Sequence, residues 1–180
     1  MESKTTPGEL LAPHTLPSLA DQPWHFTASA VVIAAGHILL VHHKRIGAWL
    51  PPGGHFIGNE LPHQAAVREA LEETGVAVEV VTESVPPSDD PEAFFCHQPL
   101  CIHGVHAVEK GNAVYHLDIA YLCLPAQMTE GEALPPITTT DEVHAAVWCP
   151  LDRLEDLPLA RNVPEIVALA LEKLGSQELK

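Results

Sequence analysis

Positive charge is scarce in this chain: 9 lysines and arginines stand against 24 aspartates and glutamates, a formal charge of −15 over 180 residues. A nucleic-acid partner is therefore not expected, because a phosphate polymer gains its affinity from lysine and arginine neutralising its backbone. Aromatic residues are few as well, at 5% of the chain, so a pocket for a nucleobase would rest on few stacking contacts. Long uninterrupted apolar runs are missing, and no membrane span or membrane partner is expected. The N-terminal MESKTTPGELLAPHTLPSLADQPW has scattered charges and prolines where a signal peptide would have an apolar core and a small-residue cleavage site. Four cysteines, Cys96, Cys101, Cys123 and Cys149, are too few and too widely spaced for a secreted disulfide scaffold, so reduced thiols and a cytoplasmic location are the expectation.

The composition that remains, 46% hydrophobic, is enough for one domain with a real core. Residues 1–22 read as an irregular, proline-containing arm and 23–180 as a single domain. Strand signals begin at Phe26. Phe26 to Val32 and His37 to His42, split by Ala35-Gly36, predict a β-hairpin, and a second hairpin is predicted from about 99–109 and 113–124 around Lys110-Gly111-Asn112. Between them Val76 to Val81 suits a buried strand, and the prolines of 83–93 interrupt regular structure. A strand near Val143 to Cys149 and an amphipathic helix from Val163 to Leu174 close the chain, the helix being expected on the far side of the sheet.

Chemistry concentrates between residues 54 and 76, GHFIGNELPHQAAVREALEETGV. Pro62 suits the first turn of a helix and Gly75 the left-handed residue just past its end, so a helix from about Pro62 to Thr74 is predicted. On it Glu69, Glu72 and Glu73 stand at offsets of three and four, where side chains are neighbours. Acids packed so closely repel unless a cation sits among them, and hard divalent ions such as Mg²⁺ or Mn²⁺ prefer oxygen donors. Arg68 is four residues from Glu72 and is placed to orient that carboxylate. Ala65, Ala66, Ala70 and Leu71, with Val67 and Val76, are expected to lie against the sheet, with the metal acids toward the opposite side. Gly53 and Gly54 allow the backbone to approach a phosphate or an ion closely.

The order Gly54, five residues, Glu60, seven residues, then Arg68-Glu69-Ala70-Leu71-Glu72-Glu73-Thr74-Gly75-Val76 resembles the Nudix box. Nine defined positions over about two dozen residues agree, with Ala70 smaller than the usual aliphatic. Trp49-Leu50-Pro51-Pro52-Gly53-Gly54 also looks like the strand and loop that lead into that box. The resemblance implies an α/β/α sandwich around a central mixed sheet, and a pyrophosphohydrolase that needs Mg²⁺ or Mn²⁺. By the same resemblance, the metal is held by Glu69, Glu72 and Glu73 with help from Glu60 and Gly53. The implied reaction is hydrolysis of a phosphoanhydride in a nucleoside diphosphate linked to another group, a small-molecule partner. Nucleoside triphosphates, ADP-ribose and dinucleoside polyphosphates all remain open. An acid from a late loop often completes such a site, and Glu142 is the first candidate alongside Glu72 and Glu73 for taking the proton from water. Arg68 completes the candidate catalytic group.

Substrate contacts are expected from Lys44 or Arg45, in the dense cationic stretch near the box, from Gly54, and from His116 and Asp118, which share one face of a predicted strand. A rival zinc site on Cys96, His97, Cys101, His103 and His106 lacks the paired spacing of strong zinc motifs. His55 and His63 flank the box. The alternative function is a non-catalytic regulator that keeps the fold to bind a nucleotide, but such proteins usually lack the box carboxylates, which are all present here. The apolar hairpin from Leu100 to Leu124 is compatible with a homodimer.

Overall fold

A computed structural model of the chain describes residues 23–81, 85–126, 128, 131–141 and 143–177. The expected arm at 1–22 lies outside the described residues, as does Glu142. Eight strands form a mixed sheet: β1 (Trp24–Ala34), β2 (His37–His43), β3 (Trp49–Leu50), β4 (Gly53–His55), β5 (Val78–Val80), β6 (Cys101–Glu109), β7 (Asn112–Pro125) and β8 (Val143–Pro150). Among the described residues two α-helices, α1 (Pro62–Thr74) and α2 (Val163–Gln177), cover its faces, and a 3₁₀ helix spans Leu151–Asp156. Both predicted hairpins form. Strand β5 is shorter than the apolar run that announced it, with Val78 to Val80 in register with β7 and Val81 adding one bond to the Leu122 carbonyl.

The centre of the sheet is the parallel pairing of β1 with β7, in register from Trp24 beside Tyr115 to Val32 beside Cys123. Parallel neighbours need a long crossover between them, which here contains strands β2 to β6 and the box helix. On its other side β1 takes β4 antiparallel, with Thr27 opposite His55 and Ser29 opposite Gly53. Alternation along β1 then sorts side chains to two faces. Ala28, Ala30 and Val32 join Ala65, Ala66 and Ala70 of α1 in one buried cluster, while Val31 and Ile33 join Val163, Ile166, Val167 and Ala170 of α2 in the other. Each fully buried Val, Ile or Leu in these layers contributes about 1.5–3 kcal/mol. The result is helix, sheet, helix, the arrangement that the sequence resemblance implies. No helix among the described residues is long and apolar enough to cross a membrane.

Helix α1 begins and ends where its punctuation dictates. Pro62 occupies the first turn, the Gln64 side chain accepts the Leu61 N–H at 2.8 Å, and Gly75 adopts φ 70° while donating to the Leu71 carbonyl at 2.8 Å. The helix meets the sheet through Ala65, Ala66 and Ala70 as expected, with Val67 and Val76 in the same cluster, but Leu71 and the acids are not where the apolar count puts them. Leu71 is 50% exposed, whereas Glu69 and Glu73 are 8% and 4% exposed. Alanines at 65, 66 and 70 let the helix lie so close to the sheet that the next positions around the cylinder, 69 and 73, are carried to the edge of the interface and away from open solvent.

Replacing Gly75 with alanine forces an L-residue into the left-handed region and brings a Cβ within 3.1 Å of Thr138 Cβ. The expected cost is about 1–2 kcal/mol. Urea unfolding checks this, and an unchanged midpoint with unchanged slope would show that Gly75 is not what ends the helix.

Candidate active site

Glu69 and Glu73, one turn apart on α1, line a cleft together with Gly53, Gly54, His55, Ile57 and the cationic turn His43, Lys44 and Arg45. Glycines 53 and 54 belong to β4 and sit against the helix. The Gly53 N–H donates to Glu73 Oε2 at 3.0 Å. A Cβ on Gly54 would lie 2.6 Å from Glu69 Cδ, so the absence of a side chain there is what lets the Glu69 carboxylate occupy its place. A Cβ on Gly53 would meet the Ala28 carbonyl at 2.6 Å, so glycine is also what permits the β1–β4 approach.

Arg68 organises the acids around it. Its Nε donates to Glu60 Oε2 at 3.0 Å and its Nη2 to Glu60 Oε1 at 2.7 Å, a two-pronged grip, and Nη2 also reaches the His55 carbonyl at 3.0 Å. Nη1 donates to Glu69 Oε1 at 2.8 Å and to Glu72 Oε2 at 2.7 Å. These bonds, led by that from Glu60, raise the guanidinium pKa against the opposing effect of burial. In return Arg68 holds the Glu60 carboxylate below its ordinary value, again against burial, with help from the Ile57 N–H. Glu60 is thus engaged through both oxygens in anchoring Arg68. The Glu72 side chain, 46% exposed, turns toward the same guanidinium. Of the acids expected to hold a metal, Glu69 and Glu73 are the ones that line the cleft, Glu72 stands at its margin, and Glu60 acts through Arg68.

The cation expected to touch substrate divides in two. Lys44 and Arg45 both line the cleft, and the Lys44 ammonium donates to the Asp141 carbonyl, which ties the turn to the loop before β8. Asp118, expected at the substrate, is instead committed within the sheet. Thr27 Oγ1 and Ser29 Oγ donate to its two oxygens at 2.8 and 2.6 Å, and His103 Nε2 lies 3.2 Å from Oδ2. Burial acts to raise its pKa, but His103, Ser29 and Thr27 outweigh it and the value is lowered. The parallel β1–β7 register, placing Thr27 beside Asp118, accounts for this.

His116 lies on the same face but two residues nearer the end of the sheet, with Nε2 at 2.8 Å from Glu109 Oε1. His55 Nε2 reaches that same oxygen at 3.1 Å, and His25 Nδ1 lies 3.0 Å from Glu109 Oε2. Sequence reasoning passed over His25 and Glu109. Glu109 and His116 flank the predicted turn at 110–112 and are matched in face by strand alternation, but nothing local joins them to His25 or His55. His63, the other histidine beside the box, packs edge-on against His97 with centroids 4.4 Å apart, and burial lowers its pKa. The rival cysteine and histidine group does not assemble: Cys96 is exposed, His103 faces Asp118, and His106 packs on Tyr115.

Residues 23–170 match the family model described as NUDIX domain. A NUDIX-family hydrolase from Clostridium perfringens is 26% identical and superposes with a TM-score of 0.61, covering 83% of this chain and 97% of its own. The Ap4A hydrolase of C. elegans, 18% identical, gives 0.58 over 84% of this chain and 98% of that one. An ADP-ribose pyrophosphatase from Streptococcus suis, 24% identical, gives 0.51 over 83% and 90%. The last two likenesses concern the fold.

A carboxyl pKa lowered in the folded state stabilises the protein fully above its ordinary value of 3.8 and ceases to as pH falls through the lower folded value. Asp118→Asn is therefore expected to unfold at a lower temperature at neutral pH, with the gap to the parent narrowing progressively below about pH 4. A gap that stays constant through the acid range would contradict the assignment.

Proposed function

From the premise that this chain belongs to the NUDIX family and is a pyrophosphohydrolase, we propose that it hydrolyses a phosphoanhydride bond in a nucleoside diphosphate linked to another group, with Mg²⁺ or Mn²⁺ required. The observation that carries this reading is the cleft itself, which Glu69 and Glu73 line together with Lys44, Arg45, Gly53 and Gly54. Carboxylate oxygens suit a hard divalent cation, and the ammonium and guanidinium groups in the same lining suit phosphate. The Glu69 carboxylate fills the place a side chain on Gly54 would take, so this acid lies directly against the loop backbone that lines the cleft.

Glu69 and Glu73, with Glu72 from the margin and the Gly53 backbone, would hold the cation. The chemistry that a bound Mg²⁺ or Mn²⁺ supplies is neutralisation of the diphosphate and acidification of the attacking water. Arg68 keeps Glu69 and Glu72 in place, so that the carboxylates need not reorganise when substrate arrives. Lys44 and Arg45 bind and orient phosphate oxygens, and a carboxylate takes the proton from water as it attacks phosphorus. Glu72, Glu73 and Glu142 are the candidates for that base, Glu142 on the strength of sequence alone. Gly54 serves substrate approach, and His116 packs edge-on against His55, which lines the cleft. Without a metal to bridge them, a chain of charge −15 repels a polyphosphate, which makes the cation necessary for binding as well as for chemistry.

Relatives of the same fold are named for Ap4A and for ADP-ribose. Both compounds carry adenosine on a phosphoanhydride chain, and this supports a nucleotide-linked diphosphate as the substrate class. A cytoplasmic location and a homodimer fit this reading. The alternative of a nucleotide-binding regulator is disfavoured by the intact set of box acids.

Mass-resolved chromatography of products from a panel of nucleotide diphosphate derivatives, with Mg²⁺ or Mn²⁺, tests the proposal. Glu69→Gln and Glu73→Gln are expected to lower turnover by about 10²-fold or more while the unfolding temperature is retained. Equal activity of Glu73→Gln and the parent would refute the assignment. No cleavage of any compound, with one of them stabilising both proteins against heat, would favour the regulator. In the same assay Gly54→Ala is expected to lose about as much activity as Glu69→Gln, because the new methyl group displaces that carboxylate. Parent-like turnover in Gly54→Ala would show that the position of Glu69 is not critical.

A further inference from the structure

We propose that His25, His55, Glu109 and His116 form a binding site for a divalent transition metal of the zinc type, distinct in chemistry from the carboxylate site on α1 and sharing with its cleft only the lining residue His55. Among the described residues this is the one group of three or more histidine, cysteine, aspartate or glutamate side chains whose ligand atoms converge, all lying within 4.8 Å of one another. Each comes from a different strand, β1, β4, β6 and β7, brought together by the register that sets His25 beside His116 and His55 opposite Thr27.

The spacing suits tetrahedral zinc. Bonds of about 2.0–2.1 Å put the ligand atoms of such a site about 3.3 Å apart. The three imidazole nitrogens already stand 3.0, 3.1 and 2.8 Å from Glu109 oxygens. Drawing the widest pair of donors in from 4.8 Å takes a shift of roughly 1.5 Å, within reach of small side-chain rotations of half-buried rings. Three imidazoles and one carboxylate favour Zn²⁺, Co²⁺ or Ni²⁺ over Mg²⁺, the reverse of the preference of an all-carboxylate site. An open pocket lined by His25, Phe26, His55, Phe56 and Glu109 gives an ion a route in, and the charge of −15 raises the local cation concentration.

Alternation along β1 places this group on the sheet face opposite α1, on the side of Thr27, Ser29 and Asp118. His55 is nevertheless the neighbour of Gly54, and its carbonyl accepts from Arg68. A metal bound here clamps four strands at one end of the sheet and fixes the backbone against which the box arginine rests. Its role is to stiffen the floor of the cleft.

Equilibrium dialysis of the full chain against Zn²⁺ with Mg²⁺ in excess, followed by metal analysis, tests the site. Visible absorption of the Co²⁺ form reads the geometry. The parent is expected to retain a single zinc per chain, to unfold at a higher temperature with it, and to show the intense visible bands of tetrahedral Co²⁺ without a thiolate charge-transfer band. His25→Gln and His116→Gln are each expected to weaken zinc binding by no less than the roughly tenfold cost of losing even an outer partner of a metal site. Glu69→Gln and Cys96→Ser are expected to keep it. The proposal is overturned if the parent retains no zinc, if both histidine variants bind like the parent, or if binding disappears in Glu69→Gln or Cys96→Ser. His25 is the more exposed of the two histidines, at 37% against 22%, so His25→Gln decides the matter should His116→Gln fail to fold.

Discussion

The grip of Arg68 on Glu60 is the constraint from which the geometry of the cleft follows. A guanidinium presents its donors in a rigid fork, and here the fork closes on both oxygens of one carboxylate eight residues earlier in the chain. With that end fixed, the remaining N–H groups can only point at Glu69, Glu72 and the His55 carbonyl. Charge-assisted bonds to the mostly buried Glu60 and Glu69 contribute about 1.5–3 kcal/mol each, and the screened bond to Glu72, 46% exposed, only about 0.3–0.5 kcal/mol, together enough to hold acids that would otherwise repel. One of these bonds, to the His55 carbonyl, connects the helix to β4 and so fixes the carboxylates relative to the glycines beside them.

Close packing of small residues does the rest. Alanines 65, 66 and 70 of α1 meet Ala28 and Ala30 of β1 at zero exposure, and this short contact draws Glu69 and Glu73 to the margin of the core. A larger residue at position 70, as the aliphatic of the box usually is, would stand the helix farther off unless the sheet yielded. Partial burial keeps the two carboxylates largely out of open solvent, at 8% and 4% exposure, which strengthens their electrostatic interactions. Across the sheet the same alternation of β1 produces a second polar layer, in which Asp118 is held by hydroxyl groups and the imidazoles gather around Glu109.

Local punctuation was the part of the fold most legible in the sequence. Pro62 and Gly75 bound a helix whose limits the structure reproduces, because φ restriction and the left-handed cap act over one or two residues. Ala35-Gly36 and Lys110-Gly111 likewise announce their hairpins, and Ala35 and Lys110 take positive φ there as the turns require. Illegible were the consequences of pairing across long stretches of chain. Nothing near Asp118 shows that Thr27 and Ser29 will satisfy it, since the contact depends on a parallel register between segments about ninety residues apart. Leu71 was expected inward and the acids outward, because an apolar count around the helix cannot see that three alanines choose the interface. Within the cleft, the box motif identified Glu69 and Glu73, and proximity in sequence suggested Lys44 and Arg45. It did not reveal that Glu60 would be spent on Arg68, nor that His25, His55, Glu109 and His116 would converge.

The central claim is that the arginine fork, and not merely the presence of positive charge, sets the acids into a cation site. Manganese binding followed by electron paramagnetic resonance, in the parent and in Arg68→Lys, tests it most directly, because lysine keeps the charge and removes the fork. The account predicts Mn²⁺ affinity roughly 10- to 100-fold weaker in Arg68→Lys, in protein shown by its thermal unfolding to be folded. Equal Mn²⁺ affinity in the two folded proteins would contradict it.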